Sequence, residues 1–174
     1  TMIRKATHTD LDAIMKIVRS AQSALAELGI DQWQDGYPQR EIISSDIDTN
    51  VGYILCDEHN VPIGYIAIVL NGEPTYSQIA PSSWHTPDNY VVVHRLCILE
   101  SARRKGMALL LMRHAAHIAQ CADIHAMRID THEGNIRMLN MLTKLGFEYC
   151  GKIIYEQSGE RVAYDINFNS DNTL

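Results

Sequence analysis

Cysteines are few in this chain, and none stands close to another. Cys56, Cys97, Cys121 and Cys150 are far apart among 174 residues and form no C-x-x-C pair. Zinc sites and disulfide frameworks need patterned cysteines, so the spacing indicates neither, and we expect no bound metal. Reduced thiols in a cytoplasmic protein are the simplest interpretation.

Excess positive charge and long apolar runs are missing as well. Lys and Arg number 15 against 21 Asp and Glu, which gives a formal net charge of -6 at pH 7. A broad nucleic-acid-binding surface normally needs a basic face, so we expect no nucleic-acid partner, and any anion site must be local. Apolar stretches fall short of the roughly 18 residues of a membrane span, so we expect no membrane partner either.

What the chain does contain is the composition of an ordinary folded domain. Apolar residues make up 46% and charged residues 21%, which favours neither disorder nor a fibrous architecture. The length fits one hydrophobic core. Because the sequence has no internal repeat and no linker, we expect one domain over residues 2–170.

The spacing of apolar residues predicts a chain of both strands and helices. Apolar residues recur at helical intervals after Thr9, and Thr9 with Asp12 has the spacing of a capping box. The predicted strands lie at 3–6, 90–99 and 126–132, with an antiparallel pair at 51–58 and 61–70 and a hairpin of 147–154 with 161–168. The predicted helices follow Thr9, cover 38–47, follow Gly106 and begin at Asn135. Prolines make 71–89 a long loop, which is a candidate for recognition.

Positive charge is concentrated in one stretch, A-R-R-K-G-M-A-L-L-L-M, at residues 102–112. It follows a predicted strand and opens a predicted helix, where the first N–H groups lack partners and attract phosphate oxygens. Gly106 lets a ligand approach the backbone, and Arg103, Arg104 and Lys105 add charge there. The alternative is a glycine turn with solvated cations. The motifs G-x-x-x-x-G-K-[ST] and G-x-G-x-x-G, typical of other nucleotide sites, are absent.

Two motifs together resemble the GNAT family of N-acetyltransferases. They are the R-x-x-G-x-A turn, Arg103 to Ala108, and the later helix from Asn135 to Gly146 and Phe147. The order of the predicted elements also resembles this family over nearly the whole chain. The resemblance implies a single-domain α/β (α+β) fold. Its mixed, mostly antiparallel sheet has about seven strands, splayed at the fourth and fifth, and is flanked by about four helices.

The resemblance also implies acetyl-CoA as the donor and an amine as the acceptor. The residues that would contact the cofactor are Leu96, Ile98, Arg103, Arg104, Lys105, Gly106, Met107, Ala108 and Asn135. Backbone groups near Ile98 would hold the pantetheine arm, and the amides from Arg104 to Ala108 would bind the diphosphate. Asn135 would lie beside the pantetheine, and it can equally be a helix N-cap.

His94 is the candidate general base. It lies on the predicted strand at 90–99, where alternation places it on one face with Val92, Leu96 and Ile98, and histidine suits proton transfer near neutral pH. The alternative is a buried histidine satisfied by hydrogen bonds. Glu133 is a weaker candidate, as is His132, which is better explained as a surface residue. The family often has a tyrosine acid where this chain has Leu142, so the acid must come from elsewhere or be water.

Trp33, Tyr37 and Trp84 occupy two irregular segments that, in the resembling family, close over the acceptor. Aromatic side chains in loops can form an apolar or cation-accepting pocket. The alternative is that they plug the ends of the core.

The sequence therefore predicts an enzyme that transfers acetyl from acetyl-CoA to a primary amine of a small molecule, amino acid or peptide. Direct attack in a ternary complex is expected, because no side chain stands out as a nucleophile. The alternatives are a CoA-binding sensor or interaction module with impaired catalysis, and a transferase of a different acyl group. Both a monomer and a homodimer are compatible with the sequence.

Overall fold

The computed structural model describes residues 1–168 and residue 174. Its strands are β1 (Met2–Lys5), β2 (Gly52–Cys56), β3 (Pro62–Val69), β4 (Val91–Ile98), β5 (Ala126–Thr131), β6 (Glu148–Tyr155) and β7 (Gly159–Asn167). Its α-helices are α1 (Leu11–Glu27), α2 (Arg40–Asp48), α3 (Met107–Cys121) and α4 (Ile136–Leu145). The predicted α/β fold of about seven strands and four helices is confirmed.

The strands form a mixed sheet in the order β1-β2-β3-β4-β5-β7-β6. β1 with β2, β2 with β3, β5 with β7 and β6 with β7 pair antiparallel. β4 and β5 run parallel, and their register joins Val91 to Met127 and Val92 to Arg128. The mixed, mostly antiparallel sheet is thus confirmed.

The chain groups into two compact units, one of Thr1–Ile68 with His94–His114 and one of Val69–Val93 with Ala115–Leu174. Both β4 and α3 contribute residues to each unit. The predicted domain over residues 2–170 stays a prediction, and its last two residues lie outside the described residues.

The first unit buries the apolar stripes of α1 and α2. Its core is built from β-branched and aromatic side chains together with two cysteines, and includes Ile14, Ile17, Val18, Ile43, Ile47, Ile54, Cys56, Tyr65 and Cys97. Burial raises the pKa of the Cys97 thiol to about 12. This thiol is therefore a protonated, packed side chain rather than a reactive one.

The capping box that leads into α1 lies two residues earlier than the sequence predicts. The capping box is formed by Thr7 and Asp10, not by Thr9 and Asp12. The N–H of Thr7 donates to Asp10 Oδ2 at 2.8 Å, and the guanidinium of Arg4 holds both Asp10 oxygens at 2.8 Å. The hydrogen bonds from Arg4 on β1 thus hold Asp10 in the capping position, and they lower the pKa of the Asp10 carboxyl.

The second unit packs a long segment against the β6–β7 hairpin. Residues 70–90 contain two short 3-10 turns, Pro74–Gln78 and Pro81–Ser83, and bury Tyr76, Ile79 and Trp84. Gln78 follows the backbone of β6, since its amide exchanges two hydrogen bonds with Ile154 at 2.8 and 2.9 Å. The predicted long loop is therefore irregular in backbone but firmly attached.

The helix ends follow the expected capping rules. Asn135 precedes α4 and its Oδ1 accepts from the N–H of Met138 at 3.4 Å, while Gly146 ends the helix with φ of +90°. The predicted cap and stop of α4 are confirmed. Within the described residues, the helices are too short or too polar to cross a bilayer.

Candidate functional site

The turn between β4 and α3 contains two residues in the left-handed region. Arg104 has φ of +61° and Gly106 has φ of +75°. The carbonyl of Gly106 accepts from the N–H of Leu110 at 3.1 Å, so Gly106 stands immediately before the first turn of α3. The N–H groups of that first turn have no acceptor within the helix, and they carry the positive end of its dipole.

The three cations of the turn have different surroundings. Arg103 is half-buried and reaches α1, where it donates to the carbonyl of Ser20 at 2.7 Å and to its hydroxyl at 2.9 Å. It also donates to the carbonyl of Ile98 at 3.1 Å. Arg104 and Lys105 are exposed, and Lys105 bonds the carbonyl of Ser101 at 3.0 Å. Arg103 thus fixes the turn, while the other two present charge to solvent.

The turn fits a polyphosphate group. A Cβ built on Gly106 would meet no atom within 4 Å, so the backbone there is open to a ligand. The first turn of α3 is Met-Ala-Leu-Leu and brings no carboxylate that would compete for the N–H groups. Backbone donors, the helix dipole and exposed cations therefore meet at one surface, which is the arrangement that binds phosphate.

On β4, the predicted site residues are not related by simple alternation. His94 and Leu96 are half-buried and Ile98 is buried. Between His94 and Leu96, Arg95 has φ of +54°. A left-handed residue interrupts the pleat, so the predicted face shared by Val92, His94, Leu96 and Ile98 is wrong.

A buried network holds Arg95 in this conformation. Its guanidinium donates to the two carboxylate oxygens of Asp46 on α2 at 2.8 and 2.6 Å, and to the hydroxyl of Tyr37 at 2.8 Å. The hydroxyl of Tyr65 donates to Asp46 at 2.6 Å. A bidentate pair of this kind is strong and directional, so the network fixes the backbone directly beside His94.

Burial and charge act together on the ionisable groups of the network. Burial, the Asp46 charge and the hydrogen bond to it raise the pKa of Tyr65 well above its ordinary value. Burial opposes the charged form of Arg95, but Tyr37 and Asp46 outweigh it and raise its pKa. The phenol of Tyr65 therefore stays protonated and Arg95 stays charged at neutral pH.

Sequence reasoning missed this network, although it left a signal. Arg95 stands in the largely apolar run Y-V-V-V-H-R-L-C-I-L, and a cation at a position that faces a core requires a buried anion. The partner could not be identified, because Asp46 lies 49 residues away on a helix that also carries two other acidic residues, Glu41 and Asp48.

The three aromatic residues predicted to contact the acceptor lie in different places. Trp33 and Tyr37 are half-buried in the first unit, with ring centroids 6.2 Å apart in an edge-to-face arrangement. Trp84 belongs to the second unit and is only 8% exposed. Its ring is covered by Arg128, whose guanidinium carbon lies 4.1 Å from the ring centroid. This geometry gives Trp84 a packing role.

The remaining candidates lie in the second unit around the start of α4. Besides capping the helix, Asn135 donates from Nδ2 to the hydroxyl of Thr131 at 3.3 Å. His132 is half-buried and accepts from the N–H of Gly134 at 2.9 Å, and Glu133 is exposed, 3.7 Å from the ammonium of Lys152. Leu142 is completely buried, so it packs in the core and offers no proton.

Replacing Asp46 tests the buried network. Asp46→Asn leaves the Arg95 charge without its counter-ion, and we expect a loss of about 3–5 kcal/mol in the free energy of unfolding. Asp48→Asn on the same helix is the matched control, because Asp48 is exposed and pairs with the exposed His8 at 2.7 Å. Its expected loss is below about 1 kcal/mol. Equal losses in urea denaturation would contradict the structural role of the Asp46–Arg95 pair.

Comparison with known proteins identifies the family of the chain. The family model described as the acetyltransferase (GNAT) family matches residues 12–147. This range includes the turn at 103–108 and the whole of α4. A comparison with curated proteins finds no significant match.

Solved structures share the fold over nearly the full length. A GNAT-family acetyltransferase from Streptococcus agalactiae is 31% identical, with a TM-score of 0.83 over 97% of this chain and 96% of that one. The PaiA N-acetyltransferase of Thermoplasma acidophilum in complex with coenzyme A is 18% identical, with a TM-score of 0.69 over 96% of this chain and 98% of that one. The NatC complex bound to Gag peptide and CoA is 15% identical, with a TM-score of 0.68 over 97% of this chain and 98% of that one. This chain belongs to the GNAT family of acetyltransferases.

Proposed function

We propose that the chain transfers an acetyl group from acetyl-CoA to a primary amine of a small molecule, an amino acid or a peptide. The observation that carries this proposal is the turn at 103–108, where left-handed backbone, an open glycine and the N-terminus of α3 converge. The turn lies within the family-matched range. PaiA and NatC, two of the structural relatives, are recorded with bound CoA.

In the first unit, the backbone amides from Arg104 to Ala108 would bind the diphosphate of CoA. Arg103 supports them indirectly, because its side chain ties the turn to Ser20. Arg104 and Lys105 would add charge from the surface, and the backbone of Leu96 and Ile98 on β4 would receive the pantetheine arm. In the second unit, Asn135 at the start of α4 is assigned a CoA contact, as the resemblance to the family implies.

Acetyl-CoA supplies a thioester whose acyl group an amine can attack directly. The acceptor must be a neutral amine, so a base has to remove its proton, and we assign this role to His94 on β4. A CoA thiol has an acidity close to that of free cysteine and can leave as a thiolate with modest help. This matters here because Leu142 cannot act as the acid.

Arg95 acts as a positioning residue for His94. Its left-handed backbone and its ion pair with Asp46 fix the strand next to His94. Tyr37, which Arg95 also holds, and Trp33 form the aromatic surface of the first unit that we assign to the acceptor.

The four cysteines are free thiols, as a reducing cytoplasm would leave them.

A glycine substitution tests the turn. Gly106→Val forces a β-branched residue into a left-handed conformation and places methyl groups where the phosphate must approach. Loss of even one charge-assisted hydrogen bond, about 1.5–3 kcal/mol, corresponds to at least a roughly tenfold weaker acetyl-CoA affinity in calorimetric titration. Gly159→Val is the matched control, because Gly159 has φ of +81° and equally open space in the β6–β7 hairpin. Unchanged affinity in Gly106→Val would remove the diphosphate assignment.

A histidine substitution tests the chemistry and separates enzyme from sensor. In an assay of thiol release over a panel of amines, His94→Gln should lower turnover strongly and abolish the acidic limb of its pH profile, with acetyl-CoA affinity retained. His59→Gln is the control and should keep both, because the side chain of His59 is exposed in the segment between β2 and β3. A wild-type protein that binds acetyl-CoA yet acetylates no amine in the panel would favour the sensor alternative, for which the buried Leu142 is the supporting observation.

A further inference from the structure

Three residues from distant parts of the sequence meet in the second unit. Nδ1 of His85 lies 2.8 Å from Oδ1 of Asp165 and 3.5 Å from Sγ of Cys150. All three potential ligand atoms lie within 4.8 Å of one another. His85 comes from the segment between β3 and β4, Cys150 from β6 and Asp165 from β7. From this convergence we propose that His85, Cys150 and Asp165 bind a divalent cation of the Zn²⁺ type.

The geometry is that of a metal site rather than of a nucleophilic triad. In a triad one ring nitrogen serves the nucleophile, while the carboxylate holds the other. Here Nε2 faces Glu148, but Cys150 shares Nδ1 with the buried carboxylate of Asp165, which lies closer to that nitrogen, at 2.8 Å against 3.5 Å. Donor atoms of three types that converge on one point are what a cation requires, and zinc accepts nitrogen, sulfur and oxygen ligands together.

The strand pairing explains why Cys150 is available. The β6–β7 register passes from Tyr149 opposite Tyr164 to Gly151 opposite Ala163, so Cys150 is an extra residue at a β-bulge. Bulges re-aim side chains and recur beside functional sites. Cys150 is 8% exposed, and its Sγ lies within 4.8 Å of the ligand atoms of both His85 and Asp165. Its thiol is therefore packed among polar groups, and a bound cation would displace its proton.

The carboxylate of Asp165 is held by a second layer of contacts. Asp165 is completely buried, and its Oδ2 accepts from the backbone N–H of His85 at 2.7 Å and from the hydroxyl of Thr86 at 2.9 Å. The hydroxyl of Thr86 in turn accepts from Nε of Arg128 at 3.0 Å. Because Oδ2 is fixed in this way, Oδ1 is the oxygen directed at the proposed ion.

The histidine has a matching outer partner. Nε2 of His85 lies 3.4 Å from Oε2 of Glu148. When Nδ1 binds a cation the ring proton must reside on Nε2, where Glu148 can accept it, and such carboxylate–histidine–metal arrangements tune metal affinity. Binding would release the Cys150 proton to solvent and leave two anionic ligands against a divalent charge. The site would be neutral, and His85, whose side chain is 41% exposed, provides the entry path.

Tetrahedral zinc holds its ligand atoms about 3.3–3.8 Å apart, given metal–ligand bonds of about 2.0–2.3 Å. Here Nδ1 of His85 lies 2.8 Å from Oδ1 of Asp165 and 3.5 Å from Sγ of Cys150, and all three atoms lie within 4.8 Å of one another. These distances bracket the tetrahedral range, so only small side-chain shifts are needed. The bound ion would clamp the segment before β4 onto the β6–β7 hairpin. The expectation of no metal came from the absence of C-x-x-C spacing, whereas these ligands are 15, 65 and 80 residues apart.

Metal titration of the full chain after chelator treatment tests the proposal. Wild-type protein should bind one equivalent of Zn²⁺, and Co²⁺ in its place should show a thiolate-to-cobalt charge-transfer band. Cys150→Ser should lose that band, and both Cys150→Ser and His85→Gln should bind Zn²⁺ at least about 100-fold more weakly. Glu148→Gln, which changes only the outer partner, should weaken binding by about 10-fold. Circular dichroism of the metal-free variants checks that each is folded. If Cys150→Ser does not fold, the Zn²⁺ affinity of His85→Gln tests the proposal.

The chain contains a rival surface pair that serves as the control. Sγ of Cys121 lies 3.7 Å from Nε2 of His117, and both side chains are exposed on α3. Cys121→Ser should leave the Zn²⁺ affinity and the cobalt band unchanged. The proposal is overturned if the band follows Cys121 instead of Cys150, if no thiolate band forms, or if folded His85→Gln binds as tightly as wild type.

Discussion

The unpaired N–H groups at the start of α3 are the constraint on which the proposed function depends. A helix that begins directly after a left-handed turn needs an acceptor at its N-terminus, and the sequence places neither a capping side chain nor a carboxylate there. Gly106 instead leaves the backbone open to a ligand, and the side chain of Arg103 donates to Ser20 on α1. The turn is thus fixed by α1 on one side and open at Gly106 on the other, as a preformed site for a phosphate group requires.

A second constraint fixes the strand that leads into this turn. Arg95 adopts a left-handed conformation inside β4, which is unfavourable for a residue with a side chain. The bidentate pair with Asp46, supported by Tyr37 and Tyr65, compensates for it from within the first unit. Strained backbone of this kind persists only where the surroundings hold it, and it concentrates at functional sites. Its position beside His94 is consistent with the role proposed for that histidine.

Local patterns predicted the elements well, and long-range partners explain the failures. The cap at Asn135 and the stop at Gly146 suffice to place α4, because both act within one turn of the helix. The start of α1 was misplaced, since Arg4 on another element determines that Asp10 and not Asp12 completes the capping box. Side-chain alternation likewise failed on β4 at Arg95, whose partner on α2 no spacing rule identifies. Sites assembled from separate elements, such as the one we propose around His85, leave no local spacing pattern in the sequence.

The measurement that tests the central claim most directly is the thermal unfolding of the protein with and without millimolar acetyl-CoA. Free CoA is measured alongside it, and ATP and NAD serve as controls. A ligand that binds only the folded state raises the unfolding temperature by mass action, by an amount equivalent to about 2.7 kcal/mol at 100 times its dissociation constant. The account predicts a clear rise with acetyl-CoA and CoA and little or none with ATP or NAD. An equal rise with ATP would make the turn a general phosphate site, and no rise with any of them would contradict the proposed donor.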